Sequence, residues 1–169
     1  MKALVFAILC LTSACGYHVA GNTDLIPKTI KTVAIPALGN GTTFQKLPVL
    51  LTSDITREFI SRTRYAIVAD PDHADAVLTG ALVNLTNYPI VFDPVSGRAT
   101  GVQVVATLQL TLTDRNTGKA IFSRSGAEFR ERYEISTNPQ AYFDESGTAM
   151  RRVSRDIARS VVSAILENF

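Results

Sequence analysis

The sequence predicts an α+β fold: a mixed, mainly antiparallel sheet of about four or five strands with two helices packed on one face. Three patterns carry that expectation. Val102, Val104, Ala106, Leu108, Leu110 and Leu112 alternate with Gln103, Val105, Thr107, Gln109, Thr111 and Thr113. A period of two puts the six apolar side chains of that first set on one sheet face. Leu51, Ile55 and Phe59 recur every four residues, the spacing of a single helix face. Met150, Val153, Ile157, Val161 and Ile165, joined by Ala158 and Val162, form a second helical stripe.

The chain opens with one positive charge, Lys2, followed by the uncharged run Ala3 to Leu11. A run of about nine residues suits the roughly 7–15 of a signal peptide and falls short of the roughly 20 needed to span a bilayer. Small residues, Ser13 and Ala14, then precede Cys15. The stretch Leu11-Thr12-Ser13-Ala14-Cys15 resembles the bacterial lipobox, with the leucine four places before the cysteine and Thr12 in its usual position. Residues 1–14 are therefore expected to be removed as a lipoprotein signal peptide. Residues 15–169 are expected to form a single domain anchored through covalent lipid on Cys15. The plain alternative is a secreted protein cleaved near Ala14 with a free thiol. Cys10 is the poorer attachment point because bulky Leu9 precedes it.

Removing the leader takes Lys2 and Cys10, which leaves sixteen basic residues against fifteen acidic ones and a single cysteine. That balance argues against a nucleic-acid partner, which calls for a basic excess or stripe. One cysteine allows no intrachain disulfide, so stability rests on packing. The remaining length suits one domain with a real core.

The elements follow in order. Gly16 to Gly21 alternates Tyr17 and Val19 against His18 and Ala20 and predicts a short strand; a loop containing Pro27 comes next. The β-branched run Thr32-Val33-Ala34-Ile35 predicts a strand that stops at Pro36. Gly39-Asn40-Gly41-Thr42 has turn chemistry. A helix of about four turns starts at Pro48, a residue suited to a first helical turn. Tyr65 to Val68 predicts a short strand, and Asp70 to Asp75 a polar loop. Ala76 to Tyr88 predicts a longer strand with Val77, Ala81, Val83 and Leu85 on one side and Gly80 permitting a bend or a close approach. The central strand ends in the hairpin loop Asp114 to Gly118. The return strand, Lys119 to about Ile135, turns mixed at Arg124, Glu128, Arg130, Glu131, Arg132 and Glu134 and reads as a solvated ribbon. The last helix opens at Asn138-Pro139, a capping residue followed by a proline at the first helical position. With both helices on one side, one face of the central strand is left uncovered.

Catalytic raw material is scarce. His18 and His73 are the two histidines, too few for a convincing Ser-His-Asp or Cys-His arrangement. Asp70, Asp72, His73 and Asp75 have metal-ligand chemistry, but aspartates in such a stretch more commonly cap a tight loop. No enzyme activity, metal or cofactor is expected, apart from the lipid on Cys15. Arg98, Arg130, Arg132, Arg151, Arg152, Arg155 and Arg159 are candidates for meeting phosphates. Interleaved Glu128, Glu131, Glu134 and Asp156 give them the alternative reading of an ordinary solvated face.

CGYH at Cys15 to His18, ADAVLTGALV at Ala74 to Val83, DRNTGK at Asp114 to Lys119 and the C-terminal run NPQAYFDESGTAMRRVSRDIARSVVSAIL together resemble the lipopolysaccharide-assembly lipoprotein family LptE. The resemblance spans nearly the whole chain. It implies an outer-membrane lipoprotein, facing the periplasm and a barrel lumen, that plugs and stabilises the β-barrel of an LptD partner. The pair would insert lipopolysaccharide into the outer leaflet. Gly16 after the anchor is compatible with outer-membrane sorting, for which an Asp there is the usual avoidance signal. In the family, lipid contact is attributed to basic positions before the central strand and before the last helix. The matching stretches here carry Asp93, Asp144 and Glu145, with Arg98 the only nearby cation.

Independently of the family, Gln103, Thr107, Gln109, Thr111 and Thr113 form a polar, uncharged candidate partner face, suited to pressing against a polar barrel lumen. Any antiparallel strand with a wet side can have the same pattern. TVAIPALGNGT followed by a helix and ADAVLTG also resembles lipoproteins of curli secretion and of penicillin-binding-protein activation, which keep a synthase activator or a self-assembled secretion ring as alternatives. An envelope hydrolase is the enzyme alternative.

Overall fold

The structure, a computed structural model, describes residues 26–134 and 139–167. Cys15, the strand expected at Gly16 to Gly21, and Asn138 lie outside them. Within the described residues the order is β1 (Thr32–Ala34), β2 (Gly39–Asn40), α1 (Lys46–Arg62), β3 (Ala66–Val68), a 3-10 turn (Pro71–His73), β4 (Ala76–Phe92), β5 (Ala99–Asp114), β6 (Ala120–Glu134) and α2 (Pro139–Glu167). The fold is α+β, as the sequence predicts.

The sheet runs β3-β1-β4-β5-β6, and β2 pairs with β4 in line with β1. β1 is parallel to β3 and β4, whereas β4, β5 and β6 are antiparallel neighbours. The parallel pair needs a crossover connection, which α1 supplies. The three long strands run well past the short ones: beyond Leu82 no described strand pairs with the outer edge of β4.

The layer above the sheet is built by α1 and α2. Leu47, Leu51, Ile55 and Phe59 on α1 are buried, as are Val153, Ile157, Ala158, Val161, Val162 and Ile165 on α2. They meet Val104, Ala106, Leu108, Leu110 and Leu112 of β5 and Phe122 of β6 in one core. Each fully buried aliphatic side chain of this kind contributes about 1.5–3 kcal/mol. The predicted alternation of β5 is thus realised along its length. The helix starts at Lys46, two residues before Pro48, so the proline occupies its third position.

β4 corrects the expected pattern. Its buried side chains are Ala76, Leu78, Leu82 and Leu85, not Val77, Ala81 and Val83 with Leu85. The register with β5 shifts between Leu82 and Asn84, and one extra residue in a strand exchanges its two faces beyond the bulge. Val83 sits in that bulge and is exposed. Gly80 serves the close approach expected of it: a Cβ there would stand 2.4 Å from the Gln109 carbonyl oxygen and 2.7 Å from Leu110 Cδ2.

Gly39-Asn40, expected to be all turn, first pairs with Ala81 and Leu82 of β4. The turn follows: the Gly41 N–H donates to the Leu82 carbonyl (2.8 Å), and Asn40 Oδ1 accepts from the Thr42 N–H and Oγ1 (both 2.9 Å).

Candidate functional site

Since α1 and α2 cover one sheet face, the other is bare of any described element. Strand register tells what it carries, because directly paired residues of antiparallel strands project to the same side. Gln103 pairs with Tyr88 and Arg132; Thr107 with Asn84 and Glu128; Gln109 with Ala81; Thr111 with Thr79 and Ser123; and Thr113 with Val77 and Ala120. Five of the sequence-predicted residues therefore lie in one row. Gln109 is exposed, and the other four are half-buried by their neighbours in the sheet.

The row is joined by weak lateral hydrogen bonds. Thr79 Oγ1 donates to the Thr111 carbonyl (3.4 Å), Thr111 Oγ1 and Ser123 Oγ are 3.4 Å apart, and Asn84 Nδ2 donates to Thr86 Oγ1 (3.3 Å). From Ala76 to Thr113 the chain has two charged residues, Asp93 and Arg98, both in the connection at the far end. The β4–β5 part of the face is accordingly uncharged, with Val77, Ala81 and Val105 set among its polar side chains. Sequence reasoning missed Asn84 and Thr86 as members, because the bulge after Leu82 brings them there. The missed signal was the change of parity from Leu82 to Leu85.

Charge enters at the β6 border. Arg130 pairs across the ladder with Val105 and Arg132 with Gln103, so both share the bare face. Arg130 is held by Glu128 at 2.6 Å. Arg98 does not join them: it lies five positions beyond Gln103, roughly 17 Å along the strand direction, in the β4–β5 connection. Arg151, Arg152, Arg155 and Arg159 are exposed on α2, behind the opposite face. The candidate cations therefore form three separate groups.

Glu131 points the other way. It pairs with Val104 on the helix-facing side, where partial burial pushes its carboxyl above the ordinary glutamate range; Asp156 adds to the rise and Arg159 opposes it.

The Asp70–Asp75 group is committed to the backbone. Asp70 Oδ1 accepts from the Asp72 N–H (2.8 Å), and Asp70 Oδ2 lies 2.6 Å from His73 Nδ1. Asp75 Oδ2 accepts from the N–H groups of Lys31 (2.8 Å) and Thr32 (2.9 Å), which ties the start of β4 to the start of β1. These backbone hydrogen bonds are the main reason both carboxyls sit below the usual aspartate range. Asp72 meets Arg115 at 3.3 Å. The side chains thus brace a turn and a strand entry, and they do not converge on a common point.

Comparison with known proteins adds the following. The family model described as LptE, lipopolysaccharide-assembly, matches residues 30–165. No curated protein matches the chain by sequence. Among solved structures, lipoprotein B of Nitrosomonas europaea superposes with a TM-score of 0.54 at 12% identity, over 81% of this chain and 83% of that one. A lipoprotein of Caulobacter crescentus CB15 gives 0.52 at 13% identity, over 80% and 88%. The PelC dodecamer subunit of Paraburkholderia phytofirmans gives 0.52 at 15%, over 81% and 88%. At such identities the structures share the fold alone.

Proposed function

We propose, for a chain that belongs to the LptE family of lipopolysaccharide-assembly proteins, that it acts as the outer-membrane lipoprotein subunit of the transport complex, plugging and stabilising an LptD-like β-barrel. It aids insertion of lipopolysaccharide into the outer leaflet and performs no chemistry of its own. No described helix is long and apolar enough to cross a membrane, and acyl chains on Cys15 hold the domain in place.

The carrying observation is the bare, uncharged face of β4 and β5. The inside of an outer-membrane barrel is polar, and a wall of Thr, Asn and Gln can exchange water for hydrogen bonds there. An unpaired charge would have to be desolvated at greater cost. Glu128, Arg130 and Arg132 border this wall on the β6 side. Arg130 and Arg132, and Arg98 at the far connection, are the side chains offered to lipopolysaccharide phosphates.

Purification of the native protein from outer membranes tests the reading. One large β-barrel protein is expected to accompany it, and Thr107→Glu is expected to release that partner while the thermal midpoint stays within a few degrees of the parent. Recovery of a cell-wall synthase, or of a ring of this chain alone, would replace the barrel reading with the activator or secretion alternative.

A further inference from the structure

Five of the nine large apolar side chains left exposed among the described residues gather at one place, while Phe44, Val49, Ile60 and Val83 lie elsewhere. Tyr88, Ile90, Val91 and Phe92 close β4 and are 40–57% exposed, and Val95 in the following turn is 94% exposed. They occupy the free end of the β4–β5 hairpin, which continues about 30 Å past Leu82, at 3.3 Å per residue, without a described strand beside β4. A patch of this kind marks a binding surface. Its shape is a protruding tip, which fits a deformable partner better than a pocketed one.

The N–H groups of the turn at this tip are satisfied internally, while the outer edge of β4 beyond Leu82 has no described strand beside it. The Asp93 N–H donates to the Arg98 carbonyl (2.8 Å), and the Gly97 N–H donates to the Asp93 carbonyl (2.9 Å). Asp93 Oδ1 accepts from the N–H groups of Val95 (3.1 Å) and Ser96 (2.6 Å) and from Ser96 Oγ (2.7 Å). Backbone polar groups without internal partners bar a segment from an acyl-chain environment; the turn's N–H groups are closed, whereas the open edge of β4 keeps the strand among the hydrated headgroups. Exposed Arg98 stands at the base of the turn, in no ion pair among the described residues, where it can meet an anionic headgroup. Tyr88 on the same hairpin is the residue type enriched at membrane–water boundaries.

We propose that this tip, with Val95 foremost and Ile90, Val91 and Phe92 behind it, inserts into the surface of a phospholipid bilayer, with Arg98 against the lipid phosphates. Asp93, still ionised within its turn, limits the depth to the interfacial zone. The contact is shallow and reversible, an addition to the covalent anchor that does not depend on a barrel partner.

The chain contains no tryptophan, so Val95→Trp supplies a single fluorescent reporter at a site with no packing to disturb. The purified full-length variant is mixed with phosphatidylethanolamine–phosphatidylglycerol vesicles. Emission is expected to shift to the blue and to be quenched by brominated acyl chains. Thr117→Trp, in the exposed β5–β6 turn at the opposite end of the sheet, is expected to keep a water-like spectrum. Adding Phe92→Asp to Val95→Trp should reduce the vesicle-bound fraction at least tenfold, and Arg98→Glu should reduce it only when phosphatidylglycerol is present. A water-like spectrum for Val95→Trp on these vesicles overturns the proposal. So does a shift that requires lipopolysaccharide or a barrel protein, whereas loss of the barrel partner alone leaves it standing.

Discussion

Ser154 of α2 donates a 2.7 Å hydrogen bond to Asp54 Oδ2 of α1, and both residues are buried between the helices. The other carboxylate oxygen of Asp54 is taken by Arg57 at 3.0 Å. A polar clasp thus fixes how the two helices lie against each other on the sheet.

Ser154→Ala removes one partner of a buried carboxylate and should lower stability by about 1–3 kcal/mol. Replacing both partners with apolar residues, Asp54→Leu with Ser154→Ala, should recover part of that loss. Urea denaturation of the two variants beside the parent measures the difference. A double variant no more stable than the single one would argue that the pair holds the helices in register.

Gly80→Ala should cost about 1–3 kcal/mol, as overpacking of a fitted site does, because the added Cβ meets the Gln109 backbone and cannot be accommodated by rotating a side chain. Gly97→Ala is the contrast: its φ is +65° with nothing within 4 Å, so only the roughly 1 kcal/mol backbone preference is lost. Equal midpoints for the two would contradict the close approach of β4 to β5.

Glu131→Gln should raise stability slightly at neutral pH, by about 0.5 kcal/mol, because the variant sheds the cost of ionising a half-buried carboxyl. The sign follows from the raised carboxyl. A group harder to ionise when folded favours the folded state below its unfolded pKa and loses that contribution as pH rises through the folded value. The advantage of the variant should therefore shrink as pH falls towards 4. Thermal midpoints of both proteins across that range give the answer; an advantage that grows on acidification would reverse the assignment.

Cys15→Ala should move the protein from washed membranes to the soluble fraction. Each buried methylene contributes about 0.8 kcal/mol, so two or three acyl chains hold firmly, and the hairpin tip alone would wash off. Mass spectrometry of the mature N-terminus checks the anchor directly.

Much of this fold is legible in the residues, because β5, α1 and the Met150 to Ile165 part of α2 each keep one period. β4 is not, for two physical reasons. The bulge after Leu82 exchanges its faces, and Pro89 suggests an end where the strand continues to Phe92. The proline is tolerated because β4 has no described neighbour on its outer side there, so no ladder hydrogen bond asks for the missing N–H. The row Gln103, Thr107, Gln109, Thr111 and Thr113 can be read from β5 alone. Its companions on β4 and β6 depend on register, which a single strand does not encode. The apolar tip was hidden for the same reason: its residues look like core until the hairpin is seen to outrun its neighbours.

The scarcity of charge along this hairpin also shapes how the molecule can be cut. Between Arg64 and Arg115, trypsin finds one cleavable bond, after Arg98, in an exposed turn. A single nick there would leave the two halves held by the long β4–β5 ladder, and the rate of nicking would give a direct footprint of whatever shields the tip in the living envelope.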